Sequence, residues 1–219
     1  MANKEHIERL KRGVAEWNVW REEAASREPD LSGANLFGAD FHGANFHGAI
    51  LAGAYLSGAD LVQAILTDAD LTDATLTGAN LTRADMVGAH LSCTKLIGAN
   101  LNGATLTRAN LSRANLTRAN LSQAKLNDAP LDEAILTNAD LTGTTLTGAS
   151  LFYTVFGDVD LSSVIGLETC NHLGPSIIDH RTLQKSKVLP LAFLHGVGLP
   201  DRLIEYLPSL YGELPAPSP

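Results

Sequence analysis

The sequence has little that would tie it to a membrane, a secretory route or a disulfide framework. It contains no apolar run of about 18 residues, the length that a transmembrane helix needs. Its first residues, Met1 to His6, lack the charged and then apolar pattern of a signal peptide. Only two cysteines are present, Cys93 and Cys170, and a disulfide framework needs more. We therefore expect a cytoplasmic protein without disulfides and without a membrane-spanning segment.

The motifs of the common catalytic sites are also missing. The sequence contains no GxxxxGKS/T phosphate loop, no GxSxG elbow and no HExxH helix. Its seven histidines are scattered, and neither His42 nor His47 has a carboxylate partner at a fixed spacing. Cys170, His172 and His180 are too loosely spaced to indicate a metal site. We predict a protein that is not an enzyme and that uses no cofactor or metal.

What the sequence does have is a strict five-residue period. From Leu31 to Leu161 every fifth residue is Leu, Phe or Met through 27 uninterrupted pentads, and the residue two places earlier is Ala at 22 of 26 sites. Neither the helical period of about 3.6 nor the strand period of about 2 divides five, so the chain must turn once per pentad. A unit this short cannot bury a Leu alone, and neighbouring units must therefore stack into a solenoid. The departures from Ala are Thr94, Thr144, Thr154 and Val159.

Runs such as Ala109-Asn110-Leu111-Ser112-Arg113 resemble the A(D/N)LXX motif of pentapeptide repeat proteins. That resemblance implies an all-β solenoid, a right-handed quadrilateral β-helix with four pentads per coil and with the central Leu and the preceding Ala pointing inward. On this interpretation the pentads make a little under seven coils, and the rod is roughly 30 Å long. Gly or another residue that tolerates a turn recurs two places after each centre, as at Gly33 and Gly38.

The regions outside the pentads predict α-helical caps. Residues 1–28 place Ile7, Leu10, Val14 and Trp17 at helical spacing and predict one N-terminal capping helix. A lid suits this segment because an open β-solenoid ends in exposed strand edges. The alternative is a helix that docks on a partner.

The pentad β-helix is expected over residues 29–165, and the helical period returns after it. Residues 166–212 are expected to form the C-terminal cap with two short helices, one of which starts near Pro200. Residues 213–219 are Pro-rich and are interpreted as a tail or the start of a linker.

The segment Gly166–Ser176, with Gly198–Asp201 and Ile204–Tyr206, carries a second resemblance. It is similar to the segment that joins a pentapeptide solenoid to a Toll/interleukin-receptor (TIR) domain in some bacterial multidomain proteins. This resemblance implies either a stand-alone relative or the N-terminal part of a longer signalling or defence protein.

One outward column of the predicted coil is unusually regular. The residue before the centre, taken at every fourth pentad, is always Asp or Asn. Stacked Asn side chains can hydrogen-bond along a solenoid, whereas stacked Asp side chains repel. The column is interpreted as a ladder that orders the backbone, with a carboxylate-lined binding strip as the alternative. Its members are Asp40, Asp60, Asn80, Asn100, Asn120, Asp140 and Asp160.

Charge changes sign along the predicted rod. The repeat region has 13 acidic and 6 basic residues, yet residues 86–127 contain five basic residues and no acidic one. A protein that imitates the phosphates of DNA needs one sign of potential along its length. The basic belt falls on several faces without interleaved aromatic residues, so direct nucleic-acid binding is disfavoured. It is interpreted as solvated surface charge, with contact to the acidic part of a second rod as the alternative. Its members are Lys95, Arg108, Arg113, Arg118 and Lys125.

These observations leave two functional hypotheses. The favoured one is a bacterial scaffolding module that offers rigid β-helix faces to a protein partner of unknown identity. The other, known for some members of the family that it resembles, is a DNA mimic that binds a topoisomerase such as gyrase. A further hypothesis is a homodimer through the C-terminal helices, although the same residues could be the core of the cap. That candidate surface consists of Leu203, Tyr206, Leu207, Leu210 and Tyr211.

Overall fold

The computed structural model describes residues 1–23, 28–186 and 188–211. Between residues 30 and 165 each pentad except the one at Asp160 pairs through the residue before its centre and then turns. Parallel bridges join residues one coil apart, as between Asp30 and Ile50 and between Asp40 and Asp60. Four pentads therefore complete one coil, and successive coils stack in parallel.

The coil has four sides, which we number by the residue at which each begins. Face 1 begins at Asp30, face 2 at Asn35, face 3 at Asp40 and face 4 at Asn45. Each face takes one pentad from every coil, so its members recur every 20 residues, as Asp30 and Ile50 do. The residues before and after each centre point outward, and the residue two places after it forms the corner to the next face.

The centres and the preceding Ala residues form one continuous core along the axis. Every central side chain from Leu31 to Leu161 is at most 9% exposed. Burying one such side chain contributes about 1.5–3 kcal/mol, and the gain recurs in every pentad. The axis is filled by side chains, as the pentad pattern predicts.

Three of the four departures from Ala are threonines, and the structure explains how a hydroxyl is tolerated in this core. Each hydroxyl donates to a backbone carbonyl of the preceding coil at 2.8–2.9 Å. A buried hydroxyl without a partner would destabilise the fold, so these bonds make the substitution possible. The pairs are Thr94 with Leu71, Thr144 with Leu121 and Thr154 with Leu131.

The corners require a left-handed backbone. Every residue two places after a centre, from Gly33 to Asp158, has a φ between 49° and 70°. None of these corner residues is β-branched, as this region of φ demands. Arg, Asp and Gln occupy many of the corners, although a left-handed backbone costs an L-residue about 1–2 kcal/mol. The stacked coils hold these residues in a conformation that they would not adopt alone.

The N-terminal segment forms two helices, where the helical spacing predicted one. Helix α1 spans Lys4–Lys11 and helix α2 spans Val14–Glu23. Gly13, whose φ is 108°, separates them and donates its N–H to the carbonyl of Leu10. A residue with this φ cannot continue a right-handed helix, so the chain turns at Gly13.

Side chains of α2 complete the outer edge of the first coil. The Asn18 amide accepts from the N–H of Asn45 at 2.8 Å and donates to the carbonyl of Gly43 at 2.9 Å, much as a neighbouring strand would. Trp17 donates its indole N–H to the carbonyl of Asn45, and its ring lies 5.7 Å from that of Phe46. Backbone groups that would otherwise form an open strand edge are therefore paired.

Coil pairing extends past residue 165, where the predicted β-helix ended. Strands β1 (Ser150–Leu151) and β2 (Val155–Phe156) pair in parallel with β3 (Asn171–His172) and β4 (Ile177–Ile178). Ser150 pairs with Asn171 and Val155 with Ile177, so these steps are one and two residues longer than the regular coil. A 3-10 turn over Leu167–Thr169 lies before β3. The chain thus follows two further faces without keeping the pentad.

Three helices follow, where two were predicted. They are α3 (His180–Ser186), α4 (Leu191–Gly196) and α5 (Asp201–Tyr211). Pro190 precedes α4 as its N-cap, where the N–H that proline lacks removes no helical hydrogen bond, whereas Pro208 lies inside α5. None of the helices in residues 1–23, 28–186 and 188–211 is long and apolar enough to cross a membrane. The predicted tail, residues 213–219, lies outside the described residues.

Side chains of α3 complete the edge of the last coil. The Thr182 hydroxyl accepts from the N–H of Val159 at 3.2 Å and donates to the carbonyl of Phe156 at 3.0 Å. The Ser186 hydroxyl accepts from the N–H of Leu161 at 3.0 Å. Thr182 and Ser186 are fully buried, so these bonds replace the water that an open edge would bind.

We predict that Thr182→Val lowers the free energy of unfolding by about 1–3 kcal/mol, because it keeps the shape but leaves two buried backbone groups unpaired. Urea denaturation followed by circular dichroism measures the change. Thr77→Val, at an exposed site on face 2, is the matched control. Equal effects of the two substitutions would contradict the edge-pairing role of Thr182.

Candidate interaction surfaces

The predicted Asp/Asn ladder lies on face 3. Parallel bridges place Asp40 beside Asp60, Asp60 beside Asn80 and Asn100 beside Asn120. In all seven members, the side-chain oxygen accepts from the backbone N–H two residues later, at 2.8–3.3 Å. Each side chain therefore caps the turn of its own pentad, as Asp and Asn commonly do.

The expected hydrogen bonding along the axis is largely replaced by these local bonds. The structure shows one amide-to-amide bond between neighbouring ladder members, from Asn100 to Asn80, and its length of 3.4 Å indicates a weak bond. Asn100 also donates to the Thr82 hydroxyl at 2.9 Å. The backbone N–H two residues later already bonds to the side-chain oxygen. Only the amide hydrogens of Asn are therefore left for bonds between coils. Asp has no such hydrogens, but it supplies the same capping oxygen, so either residue can occupy a position in the column.

The carboxylates of the ladder lie toward the two ends of face 3. Asp40, Asp140 and Asp160 are exposed and Asp60 is half-buried, whereas the three Asn residues between them are half-buried. The surface that this face offers is therefore acidic at both ends and neutral in the middle.

The basic belt does not form one patch. Lys95 lies on face 2 and Lys125 on face 4, while the arginines occupy corners: Arg108 after face 4, Arg113 after face 1 and Arg118 after face 2. Arg113 forms a two-pronged ion pair with Glu133 of the next coil, with both bonds at 3.1 Å. That pair holds the pKa of the Arg113 guanidinium above its ordinary value. The remaining basic residues are exposed.

The candidate surface on α5 is partly exposed. Leu203, Tyr206 and Leu210 are exposed, whereas Leu207 and Tyr211 are half-buried against the core. Ile204, on the other side of the helix, is buried. The helix thus packs through one side and presents a second apolar side outward.

The cysteine and histidine residues do not come together as a ligand set. Cys170 is half-buried with its thiol near the carbonyl of Leu146, and burial raises the pKa of this thiol to about 12. Burial also lowers the pKa of His172, which packs against Phe193 of α4. Within the described residues no group of three His, Cys, Asp or Glu side chains is placed to hold a metal ion.

Sequence reasoning missed two sets of residues that the structure makes prominent. One comprises the side chains that complete the coil edges, namely Asn18, Thr182 and Ser186, for which a non-periodic sequence gives no indication. The other is the outward column of face 2, in which Tyr55 and Ile135 are exposed. Sorting the outward residues by face, as was done for the Asp/Asn ladder, would have found it.

A family model for pentapeptide repeats matches the chain in eight copies, over residues 30–68, 54–92, 64–103, 94–132 and 131–165. Together the matches run from residue 30 to residue 165 and cover more than half of the chain. No curated protein sequence matches the chain.

Two solved structures of QnrB1, a plasmid-mediated fluoroquinolone resistance protein, are similar in shape. The full-length protein is 22% identical, over 81% of this chain and 87% of its own, with a TM-score of 0.64. A trypsin-treated variant is 25% identical, over 62% of this chain and 68% of its own, with a TM-score of 0.58. The likeness to the full-length protein establishes a shared fold.

We predict that Asn100→Asp destabilises the protein by about 1 kcal/mol more than Asn115→Asp does. Both side chains cap their own turn through an oxygen that Asp retains, but only Asn100 donates to a neighbouring coil. Urea denaturation of the two variants at neutral pH measures the difference. If both lose the same stability, the bonds between coils do not contribute.

Proposed function

The chain belongs to the pentapeptide repeat family, and on this premise we propose that it is a non-catalytic protein-interaction module. The right-handed quadrilateral β-helix that this family implies is a rigid rod whose faces meet a protein partner. The observation that carries the proposal is the filled axis: the central side chains are at most 9% exposed, so the pentads leave no internal cleft for a substrate. Function then falls to the outward columns.

In this proposal the terminal helices are caps. The support is the pairing of edge groups by Asn18 at one end and by Thr182 at the other. Caps keep a solenoid from stacking end to end, which leaves the sides as the surfaces for partners. Two free cysteines, Cys93 and Cys170, are in keeping with a cytoplasmic protein.

The partner domain is proposed from the C-terminal resemblance. Residues 166–176, 198–201 and 204–206 resemble a segment that precedes a TIR domain, and the family model ends at residue 165 without reaching them. A chain that carried such a domain would make the β-helix the scaffold of a bacterial signalling or defence protein.

The second candidate function is binding to a topoisomerase as a DNA mimic. It is favoured by the likeness to QnrB1, which is a fluoroquinolone resistance protein, and by the formal net charge of −8. Two features speak against it: residues 86–127 carry no acidic residue, and the unbroken pentads leave no projecting loop. We therefore place it second.

A supercoiling assay with a bacterial DNA gyrase separates the two candidates. We predict no inhibition and no protection against a fluoroquinolone at low micromolar protein. In the ladder variant, four carboxylates of face 3 are changed to Asn, which keeps the local caps: Asp40, Asp60, Asp140 and Asp160. In the matched control variant, four carboxylates of other faces are changed to Asn: Asp68, Asp70, Asp85 and Asp128. Inhibition that the ladder variant abolishes and the control retains would establish the mimic instead.

We also propose that α5 mediates a homodimer. Tyr206 is 64% exposed, beside the exposed Leu203 and Leu210. We predict that Tyr206→Ser with Leu210→Ser converts a dimer into a monomer in light scattering, because the paired apolar area is lost. Tyr153→Ser, on an exposed aromatic residue outside α5, is the control. A wild-type protein that is monomeric at every concentration would contradict this proposal.

A further inference from the structure

Face 2 differs from the other three faces in its charge. The repeat region has thirteen acidic residues, of which five lie on face 1, four on face 3 and three on face 4. Face 2 has Asp158 alone, at its C-terminal corner, and Lys185 of α3 pairs with that carboxylate at 2.7 Å. Lys95 and Arg118 are exposed on the same face. In an acidic protein, face 2 is therefore a basic stripe.

Face 2 also holds most of the exposed apolar side chains of the coil. Five large apolar residues on this face are exposed: Phe37, Tyr55, Ile97, Ile135 and Ile177. Ile177 pairs with Val155 and Val155 with Ile135, so the last three coils form a continuous aliphatic column. Face 4, by comparison, exposes Ile65 and Ile165. Apolar side chains thus lie toward both ends of face 2, and the basic residues lie between them, with Ile97 beside Lys95.

The shape of this stripe limits what can bind it. A strand of three outward-facing positions is about 10 Å wide, and the seven coil steps from Phe37 to Ile177 span about 34 Å. The backbone groups of face 2 are used between coils, as in the bond from the N–H of Leu56 to the carbonyl of Thr75. An added β-strand would therefore find no free backbone edge on this face. An α-helix of about 20 residues, 10–12 Å wide and about 30 Å long, has matching dimensions.

The charges on the neighbouring faces limit the partner further. A broad acidic surface would overlap Asp70 and Asp132 of face 1 and the ladder carboxylates of face 3, which would repel it. The coil that contains Lys95, residues 90–109, carries no acidic residue on any face, and the coil that contains Arg118, residues 110–129, carries Asp128 alone. A second copy of this chain fits poorly, because pairing face 2 with itself about a two-fold axis would bring the basic middle segments together.

We propose that face 2 docks an amphipathic helix of a partner protein, which bears Asp or Glu at the middle of its bound side and large apolar residues at both ends. This proposal rests on the interaction-module function and assigns it a face. The apolar ends supply most of the buried area, and the central charge pairs set register and direction.

The test is selection of helical peptides of about 20 residues, displayed on phage, against the immobilised full-length chain. We expect the enriched peptides to carry acidic residues in the middle of one apolar side. Fluorescence anisotropy with the synthetic peptide then measures Kd for the wild type and variants. Binding should weaken by at least about tenfold in Lys95→Glu and in the pair Tyr55→Ser with Ile135→Thr.

Face 4 offers matched controls for these variants. Lys125 and Ile65 occupy the same outward column position there, and the 41% exposure of Ile65 resembles the 36% of Ile135. Lys125→Glu and Ile65→Thr should leave Kd within about twofold of the wild type. Urea denaturation of each variant verifies that the fold is retained.

Every other outcome overturns the assignment of face 2. Enriched peptides without acidic residues would refute the predicted charge of the partner helix. Binding that the face 4 variants weaken as much as the face 2 variants do would refute its location on face 2. Peptides that bind and are lost only with changes on faces 1, 3 or 4 would leave the interaction module intact and remove face 2 from it. Failure to enrich any peptide would refute face 2 as a docking site. The interaction-module function would then still be tested by capture of a protein partner whose binding depends on substitutions on the other faces.

Discussion

Backbone hydrogen bonding between coils is the constraint on which the rest of this structure depends. Each pentad donates to and accepts from the pentads one coil away, as when Leu61 donates to Asn80 and Asp60 donates to Ala39. The bonds repeat regularly from coil to coil only where every coil has the same length and turns at the same places, which explains the unbroken period and the left-handed corners from Leu31 to Leu161. They also leave unpaired groups at the first and last coils, where no further coil exists. The side chains of α2 and α3 supply the missing partners, so the helices follow from the same requirement as the repeats.

The same constraint explains which features could be predicted from the sequence. The centres must be large and apolar, so Leu31 to Leu161 identify the core, and the small Ala, or a Thr whose hydroxyl is paired, identifies the tight position before it. The chain ends obey no period: the break at Gly13 depends on one backbone angle, and the step from Ser150 to its partner Asn171 contains one residue more than the regular coil. Asn18 and Thr182 act through hydrogen bonds across more than twenty residues, which no local pattern reveals. The ladder residues were identified correctly by position, but the capture of their oxygens by the next turn required the geometry.

Charge has a different meaning when it is sorted by face than when it is read along the chain. Along the chain, residues 86–127 interrupt an acidic rod, which weakens the resemblance to a uniform phosphate backbone. Around the coil, acidic residues lie on faces 1, 3 and 4, and face 2 has no acidic residue from Asn35 to Val155. Two partners of opposite chemistry could therefore meet one rod on different sides. The interaction-module function is compatible with a partner on any face, because the same buried core supports all four faces.

Separation of core from surface also bears on how such a protein can acquire a partner. An outward side chain such as Lys95 is exposed, so its replacement leaves the inter-coil bonds and the buried Leu column in place. A corner residue such as Arg118 is more restricted, since its φ of 58° excludes β-branched side chains. Specificity can then change in the columns beside each centre with little effect on folding, whereas it can change at the corners only among residues that tolerate a left-handed backbone. On face 2 the apolar residues occupy those free columns and Arg118 occupies a corner, so the docking chemistry is concentrated where the fold constrains it least.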